Sequence, residues 1–120
     1  QAAGATGTSF HILKAMDWSI REGARVINMS FAGPRDPMMT RAIQVAASRR
    51  IAMIAAMGNE GPGAPISYPA ADPNVIAVTA TDQAGKLFSA ASQGTHVTVA
   101  APGVEIILPA PRGGYQISSG

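Results

Sequence analysis

The sequence is 120 residues long, carries nine Lys and Arg against seven Asp and Glu, and is 47% hydrophobic, 13% charged and free of cysteine. This apolar content excludes a disordered or fibrous chain and allows a buried core, while the lack of cysteine excludes disulfides and zinc sites built on sulfur. The formal net charge is +2 and the seven arginines are scattered, so we expect no nucleic-acid partner.

A helix is the first predicted element, because apolar residues recur at helical spacing after Ser9, a residue type that caps helices. We expect Gly23 to end this helix. A short buried strand is predicted at residues 26–30. The second helix begins with Asp36 as its cap and Pro37 in its first turn, and runs to the two arginines before residue 51.

Three more strands are predicted from short apolar runs at residues 51–57, 75–81 and 97–100, followed by a hairpin of residues 106–108 and 115–117. The order helix, strand, helix, strand, strand predicts an α/β fold with a mainly parallel sheet flanked by helices. We expect residues 1–120 to form the central part of a single domain, since both termini fall within stretches of small residues.

Glycine-bearing segments follow two of the predicted strands, at residues 30–34 and 58–63. In open parallel sheets the ligand crevice lies beyond the carboxyl ends of the strands. Bare backbone there suits a groove that binds an extended peptide by main-chain hydrogen bonds. Asn59 would present an amide at the mouth of this groove, a donor type that stabilises oxyanions. The alternative interpretation is an asparagine tolerated in a left-handed turn.

Four motifs occur in a fixed order along the chain: VINMSFAG at 26–33, AAMGNEG at 55–61, YPAADPNVIAV at 68–78 and APGV at 101–104. Together they closely resemble the subtilisin-like serine peptidases and span nearly the whole sequence. The resemblance implies a subtilisin-like α/β domain, here present in part, from a serine endopeptidase that acts on extended polypeptides. It also implies a secreted or periplasmic protein.

The resemblance assigns roles to individual residues. Asn59 matches the asparagine that donates to the oxyanion of the tetrahedral intermediate. The residues that match the walls of the pocket for the substrate side chain before the scissile bond are Ser30, Phe31, Ala32, Gly33, Ala55, Ala56, Met57 and Gly58. No cofactor is implied, although a structural cation sometimes binds the carbonyls that match Ala70, Asp72 and Val75.

Three positions depart from the family pattern, and all three bear on the width of the substrate pocket. Phe31 stands where the family more often has leucine, Ala32 where it has glycine, and Met57 where it has a small residue. The asparagine at position 59 is retained. The resemblance therefore leaves the substrate preference open.

The family's catalytic aspartate and histidine match no residue of this sequence and would precede Gln1. Gly120 matches the glycine of the Gly-Thr-Ser motif, so the nucleophilic serine would follow two residues later. We therefore expect the chain alone to be inactive. Other candidate triad residues fit ordinary loop, turn, helix or terminal positions better, namely His96, Asp82, His11, Ser118 and Ser119.

Two alternatives come from different functional classes. A degenerate, non-catalytic peptidase domain would bind an extended peptide without hydrolysing it. A nucleotide-binding domain would use residues 58–63 as a phosphate loop, but this stretch has no lysine and no helix start after it. We expect no membrane partner, because no apolar run approaches the roughly 20 residues that span a bilayer. Exposed apolar sheet edges and faces predict self-association.

Overall fold

The fold was analysed in a computed structural model that describes residues 7–120. Two helices and six strands follow in the order α1 (Ser9–Arg21), β1 (Val26–Met29), α2 (Pro37–Ser48), β2 (Ala52–Ala56), β3 (Ile76–Thr81), β4 (Val99–Pro102), β5 (Ile106–Pro109) and β6 (Tyr115–Ser118). Strands β1 to β4 form a parallel sheet in sequence order, and β5 and β6 form an antiparallel hairpin. The predicted fold class is confirmed.

Residues next to the helices explain where α1 begins and ends and where α2 begins. Thr8, rather than the predicted Ser9, is the cap of α1, because its extended backbone lets the hydroxyl accept the His11 amide. Gly23 lies just past the end of α1 with a φ of 78°, as predicted. Asp36 caps α2, and its carboxylate accepts the Met38 amide at 2.8 Å.

The fourth strand lies two residues later than predicted. Its register pairs Val99 with Val78 and Pro102 with Thr81, whereas Val97 is partly buried and packs against the core. A proline can end this strand because β4 is at the edge of the described sheet, where a missing backbone donor costs no ladder hydrogen bond. The hairpin, by contrast, lies where the sequence predicts it.

Within residues 7–120, the two helices cover one face of the parallel sheet. On this covered face, large apolar side chains from both helices and from β1 and β2 are almost fully buried, including Met16, Met29, Ile43 and Met53. The register puts alternate residues on the opposite, open face, where Val26, Ile76 and Val99 are 57%, 39% and 46% exposed. The sheet therefore has a packed face and a free apolar face.

Candidate active site

Asn59 lies just beyond the carboxyl end of β2, at the edge of the sheet where all four parallel strands end. After β2 the Met57 amide still donates to the Val78 carbonyl at 3.0 Å. Gly58 then turns the chain with a φ of 96°, a conformation that glycine adopts without strain. The Asn59 side chain is consequently exposed at the mouth of a crevice, as expected for this type of sheet.

Three hydrogen bonds hold the loop that carries Asn59. The Ser92 amide donates to the Gly58 carbonyl at 2.9 Å, and the Gly61 amide donates to the Ala90 carbonyl at 2.9 Å. The Glu60 amide donates to Ser92 Oγ at 3.2 Å. Because these bonds flank Asn59 on both sides, its backbone is fixed before any ligand arrives.

Two cavities meet at Asn59. The first has a volume of about 200 Å³, and it lies over the open face of the sheet, where it is lined by Ser30, Ala55, Ala56, Met57, Gly58 and Gly120. The second has a volume of about 160 Å³ and is lined by Ala32, Met57, Gly58, Glu60, Ser67 and Ser92. The structure thus brings Ser30, Ala32 and all four residues at positions 55–58 next to Asn59.

Phe31 and Gly33 lie away from Asn59. They line a third cavity of about 250 Å³ together with residues of α1 and α2, including Ile12 and Met39. The Gly33 amide and carbonyl both bond to the backbone of Tyr68 at 2.9 Å, so this backbone is already paired within the chain. Ala32 lines both the second and the third cavity, and the two therefore adjoin.

Gly120 touches Asn59, a contact that sequence reasoning missed. A Cβ placed on Gly120 would overlap the Asn59 side-chain amide. The Gly120 amide donates to the Gly103 carbonyl at 2.8 Å, which joins the end of the hairpin to the end of β4. No local sequence pattern signals this contact.

Three of the residues that resemble triad members have hydrogen-bond partners within the chain. Asp82 Oδ1 accepts the amides of Ala84 and Lys86 within a turn. His11 Nδ1 bonds to Thr8 Oγ1 at the start of α1. Ser119 Oγ accepts the Glu105 amide. His96 lies in a turn, as predicted, and its ring packs against Gly94.

The candidate cation loop is closed by its own hydrogen bonds. The buried Asp72 carboxylate accepts the amide and the side chain of Asn74, and the Asp72 carbonyl accepts the Val75 amide at 3.0 Å. Within residues 7–120, no three His, Asp or Glu side chains cluster as metal ligands would. In the same range, no helix is long and apolar enough to span a bilayer.

A family model and the sequences of known proteins both match this chain to subtilases. The model of the subtilase family of peptidases matches residues 2–120. Subtilisin Savinase from Lederbergia lenta is 34% identical over 119 residues, which is 98% of this chain and 44% of that protein. The minor extracellular protease Epr of Bacillus subtilis is 36% identical over 79% of this chain, and 15% of that protein is covered.

Solved structures agree with the sequence matches. The prenylagaramide maturation protease PagA superposes with a TM-score of 0.89 at 29% identity, covering 97% of this chain and 44% of that one. A cold-adapted subtilisin-like serine proteinase gives a TM-score of 0.89 at 28% identity, with 98% and 44% covered. The chain thus spans less than half the length of these relatives.

Proposed function

The chain belongs to the subtilase family of serine peptidases, and from that premise we propose that it supplies the oxyanion donor and the substrate groove of a serine endopeptidase. A serine and a histidine from elsewhere in the longer protein would attack the peptide carbonyl and move the proton, and an aspartate would orient the histidine. Asn59 would donate to the oxyanion. This chemistry needs no cofactor, because side chains and backbone supply every group.

The observation that carries the proposal is the fixed position of Asn59 at the junction of two cavities. A donor stabilises a transition state strongly only if it is oriented beforehand. The three hydrogen bonds that flank Asn59 support this role because they fix the backbone from which its amide projects, and that amide contacts Gly120, which matches the glycine two residues before the nucleophile. The second and third cavities adjoin at Ala32 and would receive neighbouring side chains of one extended substrate.

The proposal is tested by Asn59→Ala in a longer protein that carries this chain between its natural flanking sequences. Loss of one oxyanion donor lowers kcat by about 10²–10³; this magnitude was established on a subtilisin and is therefore the family's own value. KM should change little. Gln83→Ala, which removes an exposed carboxamide from the turn after β3, is the matched control. Full turnover by the Asn59→Ala protein would refute the role of this amide.

We also propose that residues 1–120 alone do not hydrolyse peptides. His11, Asp82 and Ser119 are each hydrogen-bonded to other residues of the chain, which supports this view. Incubation of the chain with a fluorogenic peptide should release no product. Cleavage would contradict it, whereas saturable peptide binding without cleavage by the longer protein would favour the non-catalytic peptide-binding module.

Three further proposals concern the location of the longer protein, a structural cation and self-association. We place the longer protein outside the cytoplasm, a proposal supported by its match to an extracellular protease, and cell fractionation tests it. A structural cation at Ala70, Asp72 and Val75 would have to share the Asp72 carbonyl with the Val75 amide. A rise in melting temperature on adding Ca²⁺ tests that site. Finally, we propose that the chain self-associates through the open face of the sheet.

A further inference from the structure

Gly103 is packed between the sheet and the end of the hairpin. It follows β4 directly and is buried. A Cβ at this position would lie 2.8 Å from the Ala80 Cβ and 2.7 Å from the Gly120 carbonyl oxygen, and real Cβ atoms essentially never make contacts that short. Its φ is outside the left-handed region. Glycine is therefore required here for space and not for backbone conformation.

The two neighbours of Gly103 differ in how far they can move. Ala80 lies inside β3 and is paired with Ala101 of β4, and the Gly103 amide itself donates to the Thr81 carbonyl at 3.0 Å. Gly120 lies after the last strand and depends for its position on the 2.8 Å hydrogen bond from its amide to the Gly103 carbonyl. Any added bulk at Gly103 would consequently displace Gly120.

Gly120 has Asn59 on its other side. A Cβ on Gly120 would overlap the Asn59 side-chain amide, so no space separates the two residues. The contacts form a continuous series from the sheet at Ala80 through Gly103 and Gly120 to Asn59. A shift of Gly120 therefore changes its distance from the amide of Asn59.

We infer that Gly103 is a positioning residue for the oxyanion site: its missing side chain sets how closely the backbone that leads to the nucleophile approaches the Asn59 amide. The inference rests on the proposed function, because only the match of Gly120 to the glycine before the nucleophile gives this distance a catalytic meaning. Gly103 lines the first cavity, and its nearest neighbours are Ala80 and Gly120. It acts through Gly120.

The experiment is nuclear Overhauser spectroscopy on the labelled chain, which reports the contact between the Asn59 side-chain amide protons and the Gly120 Hα protons. We expect this signal in the wild-type chain, in Ala80→Gly and in the control Gly63→Ala, where an added Cβ meets no atom within 4 Å. The signal should be lost in Gly103→Ala. It should stay lost in the double variant Ala80→Gly/Gly103→Ala, because the contact with the Gly120 carbonyl remains.

Each other outcome overturns the inference. Restoration of the signal in the double variant would show that Gly103 matters only for packing against Ala80. A retained signal in Gly103→Ala would show that Gly120 does not move. Unfolding of the double variant would show that Gly103 supports the whole domain.

Turnover separates this inference from the proposed function. In the longer protein, Gly103→Ala should lower kcat by about 10²-fold, the cost of misplacing reacting groups by roughly 1 Å, and the loss should fall on kcat more than on KM because the displaced groups act on the transition state. If the contact is lost while Asn59→Ala retains full turnover, the proposed function fails and the positioning of Gly120 by Gly103 stands. If Asn59→Ala loses turnover and Gly103→Ala keeps the contact, the positioning inference fails alone.

Discussion

The two faces of the parallel sheet have similar apolar residues and different neighbours. On the covered face, Met29 and Met53 are each about 1% exposed, and so is Ile43 of α2, which belongs to the same core. On the open face, Val26 and Val99 keep about half of their surface in solvent. The cavity beside Asn59 lies over the open face. The covered face therefore accounts for the stability of the domain, whereas the open face borders the candidate active site.

The largest effect should appear in truncations of a buried and an exposed side chain on α2, the helix that packs on the covered face. Ile43→Ala empties a fully buried position on α2 and should lower the free energy of unfolding by about 2–5 kcal/mol. Val45→Ala removes a 41% exposed side chain two residues away and should change it by about 0.5 kcal/mol or less. Urea unfolding measures both, and equal losses would contradict the placement of Ile43 in the core and of Val45 at the surface.

A smaller loss of unfolding free energy is expected from a substitution at Gly58, where the sheet meets the loop that carries Asn59. Gly58→Ala puts a side chain at a φ of 96° and 3.3 Å from Ser92 Oγ, which should cost about 1–3 kcal/mol. Gly63→Ala in the same loop has open space and an ordinary φ, so it should be neutral or slightly stabilising. Denaturant titration of both variants checks the pair. A Gly58→Ala chain as stable as Gly63→Ala would show that this loop is not held as described.

Substitutions on the open face should change association more than stability. The double variant Val26→Thr/Val99→Thr makes this face polar at nearly constant volume and should raise the dissociation constant of self-association at least about tenfold, since each buried valine contributes about 1.5–3 kcal/mol. Sedimentation velocity measures the shift. Ile66→Thr, at a 66% exposed loop position, is the matched control. A monomeric wild-type chain at high concentration would refute self-association.

The smallest effect concerns the pH dependence of the cap of α2. The hydroxyl of Ser9, followed by the amide of Met38, holds the pKa of Asp36 below its ordinary value. The ionised cap therefore stabilises the fold fully above about pH 4, the ordinary pKa of aspartate, and this stabilisation is lost as the pH falls through the lower value in the folded state. Melting temperatures between pH 5 and pH 2 should decline less in Asp36→Asn. An equal fall in melting temperature in the wild-type and Asp36→Asn proteins would contradict the role of the ionised Asp36 cap.

Local signals in the sequence predicted most of the fold. The Asp36-Pro37 start of α2, the glycine after α1 and the hairpin all lie where short-range residue patterns predict them. The cap of α1 and the position of β4 were wrong by one and two residues, because capping geometry and strand register are decided by neighbours in space.

The site was less accessible to sequence reasoning. The order of motifs gave Asn59 and the segments beside it, but it did not separate Phe31 and Gly33, which line the third cavity, from Ser30 and Ala32, which lie at Asn59. Adjacent residues at the end of a strand point in different directions, and only coordinates show which cavity each one faces. The contact of Gly120 with both Gly103 and Asn59 depends on residues far apart in the chain and has no local signature.

The hydrogen bonds around Asn59 have a consequence for the order of folding. The bond between Glu60 and Ser92 joins residues 32 positions apart, so a long segment must close before it forms, and such closure is entropically unfavourable. The helices, in contrast, depend on contacts within one or two turns and form quickly. A nascent or partly unfolded chain would therefore have its helices well before the loop that carries Asn59 is closed, so that helicity and the geometry of the candidate site should be acquired on separate timescales.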